Sequence, residues 1–141
     1  MKFWDTSAIV PLCVVEPATS QVRAIAEADG SIVVWWATRT ECLSGVSRLR
    51  RERKLPTVTA TRAQRALTAL SREWSEILPS ERVRSRAERL LAVHALRAAD
   101  AFQLAAALVW ARGETRLHEV VSLDARLREA AEREGFQILP G

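Results

Sequence analysis

The sequence predicts an α/β fold, with helices covering both faces of a central parallel sheet. Two observations carry this. Short apolar runs alternate along the chain with longer stretches of helical periodicity, from "KFW" at the start to "FQIL" near the end. Gly30, Gly113 and Gly135 fall just past three of the helical stretches, where helices commonly stop. A chain of 141 residues with 48% hydrophobic side chains suits one domain spanning 1–141, with a core large enough to exclude disorder.

In chain order, residues 2–4 read as a strand that runs into Asp5. A helix is expected over 19–29, followed by "SIVVWW" at 31–36, whose β-branched and aromatic residues suit a buried strand. Helical patterns cover 38–54 and 59–73, a short strand falls within 75–79, and a further helix covers 80–94. The stretch 98–112 contains "AADAFQLAAALVWA", in which Asp100 and Gln103 are the only polar side chains. A helix apolar nearly all round is a buried helix, and this one is too short to span a bilayer. A strand at 118–123, a helix at 124–134 and a last strand at 136–139 complete the order. Ligands of such folds bind beyond the carboxyl ends of the strands, so Asp5 and Asp124, each just after an apolar run, are expected at one rim.

Composition excludes several classes of function. Cys13 and Cys42 stand apart among apolar residues, which argues against a disulfide framework or a zinc site and fits a reducing cytosol. Lys2 precedes an apolar stretch, but Asp5, Pro11 and Glu16 interrupt it and no small-residue cleavage pattern follows, so a signal peptide is rejected. No apolar run is long enough to cross a bilayer, and a soluble, cytoplasmic protein is expected. The net charge of +4 is unevenly placed: residues 48–97 carry 13 basic and 5 acidic side chains, the remainder 8 and 12. A basic middle with acidic flanks suits a polyanion lying beside an acidic pocket, although an ordinary solvated helical surface accounts for the same run.

Four carboxylates stand where strands end or helices begin. Asp5 suits a cap for a helical turn starting at Ser7. Thr38-x-x-Glu41 matches a capping box, yet Ser44 and Gly45 leave space above Glu41, and no basic residue lies three or four positions away. Asp100, with Gln103 three residues on, also has the spacing of a cap, but a carboxylate against a buried helix is costly unless a cation or several donors meet it. Asp124 suits the N-cap of the helix it begins. Each local explanation accounts for one acid, and none accounts for their joint placement. Converging acids without matching basic residues repel strongly at low dielectric, and a divalent cation relieves that repulsion. Mg2+ and Mn2+ favour oxygen ligands, and Mg2+ takes one or two carboxylates directly while keeping waters, which leaves the site open to a phosphate. Such a site suits metal-assisted hydrolysis of a phosphodiester.

Taken together, "DTSAIV", the Glu of "TECLSGVSRL", "LRAADAFQLAAAL" and "VVSLDARLREAAEREGFQIL" resemble the PIN-domain family and, within it, the VapC-type toxins of toxin–antitoxin modules. The resemblance covers nearly the whole chain, with the motifs in order. It implies a three-layer α/β/α sandwich around a parallel sheet and an Mg2+- or Mn2+-dependent endoribonuclease. The family's catalytic and metal-binding acids map onto Asp5, Glu41, Asp100 and Asp124. Thr6 and Ser122 correspond to the hydroxyls beside the first and last acids, which hold metal-bound water or a carboxylate, and Arg97 to the arginine before the third. An RNA substrate, a small antitoxin whose tail blocks the site, and a homodimer are implied as well.

Other residues receive plainer readings. His94 and His118 read as structural or exposed, and Trp4, Trp74 and Trp110 as core. Trp35-Trp36 suits core on one side and an interaction surface on the other. Arg48, Arg50, Arg51, Arg53 and Lys54 end a helix, where cations favour the dipole, and part of the cluster suits an RNA backbone. The alternative function is a non-catalytic RNA- or protein-binding module on the same scaffold. Haloacid-dehalogenase-like phosphatases also place an aspartate after the first strand, but they need a second one where Ser7 stands. Phosphate-accepting receivers need a late lysine, and neither Lys2 nor Lys54 is so placed.

Overall fold

The computed structural model describes residues 1–141. Five short strands, β1 (Lys2–Trp4), β2 (Ile32–Trp35), β3 (Ser75–Ile77), β4 (Glu119–Val121) and β5 (Gln137–Leu139), form one sheet in the order β3-β2-β1-β4-β5. Every pairing is parallel. Seven helices connect them: α1 (Thr6–Cys13), α2 (Thr19–Asp29), α3 (Thr38–Arg51), α4 (Thr57–Ser71), α5 (Glu81–Val93), α6 (Ala98–Ala111) and α7 (Ala125–Arg133). A single 3-10 turn, Thr115–Leu117, leads into β4.

Alternation along the strands deals side chains to two cores. Phe3, Val33, Trp35 and Val120 pack with Leu90 of α5, Leu104 and Ala105 of α6, and Leu127 of α7. Trp4, Val34 and Val121 face the other way, onto Ile9 of α1, Val22 of α2, Cys42 of α3 and Leu67 of α4. The result is a three-layer α/β/α sandwich. Because both faces are covered, the central strands β1, β2 and β4 carry consecutive buried apolar residues, Phe3-Trp4, Val33-Val34 and Val120-Val121, which is why they read as continuous runs, whereas the edge strand β3 is polar and exposed at Ser75 and Glu76. No helix is long and apolar enough to cross a membrane.

Most element positions match the sequence pattern, and the differences have local causes. Only a turn is expected at Ser7, yet α1 runs eight residues through Pro11. Ala8, Ile9 and Pro11 are buried, and α1 packs on α2, α3 and α4, so tertiary contact carries the helix past a residue that disfavours it. The helix expected to reach residue 54 stops at Arg51, and Arg53 turns the chain with a left-handed φ of 56°. All three glycines after helices adopt positive φ, and at Gly135 an added Cβ would lie 2.7 Å from Thr115 Oγ1.

The strand order places the site. The chain leaves β1 for β2 on one side and later returns to pair with β1 on the other through β4. Ligands bind at such a switch point, beyond the carboxyl ends of the two central strands. Asp5 and Ser122 are the first residues past those ends, and the Asp5 N–H still donates to Val121 O at 3.0 Å.

Candidate functional site

Asp5, Glu41, Asp100 and Asp124 all line one open cleft of about 540 Å3 at this rim. Thr6, Ser7, Ser44, Arg48 and Arg97 line it too. Residues from the β1–α1 junction, α1, α3, α6 and the β4–α7 junction therefore meet across large separations in sequence.

Asp5 is the most enclosed of the four, at 4% exposure. It caps α1 as expected, but that is only part of its bonding. Its Oδ2 accepts the Ser7 N–H (3.2 Å), the Ser7 hydroxyl and the Ser122 hydroxyl (3.0 Å). Oδ1 takes no protein donor and reaches the cleft. Burial raises the carboxyl to about 6, outweighing the opposing effect of the Ser7 and Ser122 donors.

Glu41 sits in the first turn of α3, and the capping box does not form: no side chain caps that helix. Its Oε2 instead accepts the Thr6 hydroxyl at 2.6 Å and the Gln103 amide at 3.0 Å. The same amide reaches Thr6 Oγ1 (2.9 Å) and Thr38 Oγ1 (3.0 Å). Gln103 thus ties α1, α3 and α6 together rather than capping α6. Its own Oε1 is buried without a partner.

Asp100, in the first turn of α6, makes no hydrogen bond to the protein and caps nothing. Burial raises its carboxyl, Asp124 and Glu41 add repulsion, and Arg97 and Arg126 oppose the rise. Asp124 caps α7 as expected, its Oδ1 accepting Leu127 N–H at 2.8 Å, while Oδ2 stays free of protein donors. Arg128 steadies this corner by donating to Ser122 O (2.8 Å) and Pro140 O (2.7 Å).

Each of the four acids therefore keeps at least one oxygen clear of protein donors. No three Asp, Glu, His or Cys side chains form a preformed ligand cage. The donor set, all carboxylate and facing an open cleft, fits a hard cation held directly by one or two acids with waters completing its shell.

A family model described as the PIN domain matches residues 2–133. The chain belongs to the PIN domain family. No curated protein matches it in sequence. Among solved structures, FitAcB from Neisseria gonorrhoeae is similar at 17% identity with a TM-score of 0.65, over 98% of this chain and 96% of that chain. At that identity the likeness concerns the fold alone.

Three lining or bridging residues of this PIN domain escaped the sequence reading. Ser7 joins Ser122 in holding Asp5, while Thr6 holds the Glu41 carboxylate. Gln103 carried a signal, as one of two polar side chains on a buried helix, but its spacing from Asp100 suggested a cap. Glu16 lines the cleft, and no sequence pattern marked it. Of the basic cluster, only Arg48 reaches the cleft. His94 pairs with Glu134 at 2.8 Å and His118 meets the edge of Trp110, both apart from the cleft. Trp35 is core, stacked on Phe102, while Trp36 is exposed. Trp74 is buried and donates to Glu76.

Proposed function

We propose that this PIN domain is an Mg2+- or Mn2+-dependent endoribonuclease, the toxin of a type II toxin–antitoxin module. The observation that carries the reading is the meeting of Asp5, Glu41, Asp100 and Asp124 in one cleft, each with an oxygen unclaimed by the protein. A bound divalent cation supplies an acidified water and relief for the charge that develops during phosphodiester hydrolysis. The chain itself does the positioning. Ser7 and Ser122 engage one oxygen of Asp5 and so direct the other into the cleft. Thr6 and Gln103 do the same for Glu41. Asp100 lacks protein donors altogether and is repelled by Asp124 and Glu41, which leaves its charge for a cation to offset.

Arg48 and Arg97 line the same cleft and attract the phosphates that four acids would repel. An open cleft admits the interior of a strand, which suits endonucleolytic cutting. An acidic cleft also suits obstruction by a basic side chain on an antitoxin tail. The exposed Trp36 offers apolar area for a homodimer or that antitoxin, and we place the protein in the cytoplasm.

The test is incubation of RNA with Mg2+ or Mn2+, with chelator and Asp100→Asn as controls. Cleavage should require the metal and fall by at least roughly 100-fold in the variant. Tight RNA binding without metal-dependent cutting would overturn the nuclease reading in favour of a binding module.

A further inference from the structure

Beside the acidic cleft lies a second hollow of about 360 Å3, lined by Arg97, Asp100, Asp124, Ala125 and Arg126. It shares Arg97 and the two aspartates with the cleft, while Ala125 and Arg126 lie outside the cleft, Arg126 also bordering a small hollow beside Glu129. Arg97 immediately precedes α6, and Arg126 is the second residue of α7. Two guanidinium groups, one from the residue capping α6 and one from α7, thus border one concavity, next to the acids proposed to bind metal.

Arg97 and Arg126, like Arg48 in the cleft, are not tied to a carboxylate of the protein. Arg84, Arg89 and Arg133 pair with glutamates, and Arg128 donates to two carbonyls. Arg97 and Arg126 are exposed and engage no carboxylate, although both act on Asp100 electrostatically. Their planar forks remain available to an oxyanion, which guanidinium groups grip with paired hydrogen bonds. Charge reinforces the point. Two acids and two arginines balance in the hollow, and a cation on the acids would leave it net positive.

We propose that this hollow is a phosphate subsite, in which Arg97 and Arg126 hold a phosphate of the RNA strand next to the linkage lying in the acidic cleft. The proposal rests on the nuclease reading of that cleft. It assigns Arg126 to substrate binding, places the strand across the Asp100–Asp124 ridge, and makes binding in the hollow stronger when a cation occupies the cleft.

The test uses the full chain and a short single-stranded RNA in which one linkage at a time is replaced by a neutral methylphosphonate. Binding is followed by fluorescence anisotropy in Ca2+, and the site of cutting is mapped separately in Mn2+. Arg126→Ala should weaken binding about tenfold and flatten the dependence of log Kd on log salt by about 0.7, one phosphate contact on a single strand. In the wild type, one neutral linkage adjacent to the cut should cause the same loss, and in Arg126→Ala that linkage should cost nothing further. Arg126→Lys should recover part of the affinity. An unchanged salt slope, or a loss in Arg126→Ala that adds fully to every neutral linkage, would show that Arg126 only balances the charge of Asp100 and Asp124. Absence of cutting in Mn2+ by the wild type defeats the nuclease reading, while the binding series still decides whether Arg126 contacts a phosphate.

Discussion

Asp5 shows how a single residue can serve the fold and the site at once. As an N-cap it needs only one oxygen, and its second oxygen is turned to the cleft. Its carboxyl is raised from 3.8 to about 6, so the folded state binds the proton more tightly than the unfolded chain does. Stability from this group is fully present below pH 3.8 and is lost as pH rises towards 6, by something on the order of 3 kcal/mol. Asp5→Asn cannot ionise, so without metal its stability relative to wild type should increase between pH 4 and pH 7. Chemical denaturation of both proteins across that range checks this, and a constant difference would mean the carboxyl titrates normally. Gln103 gives a second prediction. Replacing it with leucine removes the donor to Glu41 but also the orphaned Oε1. Stability should fall by about 1–3 kcal/mol, because the buried Thr38 hydroxyl and Glu41 Oε2 lose a donor that leucine cannot replace. RNA cleavage should fall about 10- to 100-fold, the usual loss when support behind a metal-binding side chain goes. Melting curves and cleavage rates of Gln103→Leu separate the two effects.

At the scale of elements, α6 illustrates what apolar composition can and cannot say. Its burial was legible, since a helix with two polar side chains has no face to offer water. Its alanines permit close approach to α5 and the sheet: Ala101, Ala105, Ala106 and Ala107 are fully enclosed. Ala106→Leu should therefore destabilise by about 1–3 kcal/mol through overpacking, read as a lower denaturant midpoint with an unchanged slope. The helix α1 was the element least visible, because Pro11 argues against a helix and only packing outweighs it. The two cap-like spacings, Thr38 to Glu41 and Asp100 to Gln103, misled for a related reason. Local spacing permits a cap, but in each case a long-range partner claims the side chain: Thr6 and Gln103 bond Glu41, and Glu41, Thr6 and Thr38 draw Gln103 inward.

At the scale of the molecule, the carboxyl ends of the central strands gather negative charge while the middle of the chain carries a positive excess. Bringing four acids to one cleft destabilises the fold at neutral pH, and a ligand cation should reverse that. Thermal unfolding should shift upward with added Mg2+ or Mn2+ at pH 7.5, by the equivalent of about 2.7 kcal/mol at a hundredfold excess over Kd. The shift should be smaller at pH 5, where Asp5 is largely protonated. A Tm indifferent to either cation at pH 7.5 would argue against the metal site as a whole.

By itself the sequence determined the α/β class, the order of strands and of every helix but α1, and four acids at element boundaries, because these follow from periodicities and spacings of two to four residues along the chain. The tertiary structure decided which side chains hold which acid. The bonds that orient the site join residues 35, 97 and 117 positions apart, and depend on strand register and helix packing that no local pattern encodes.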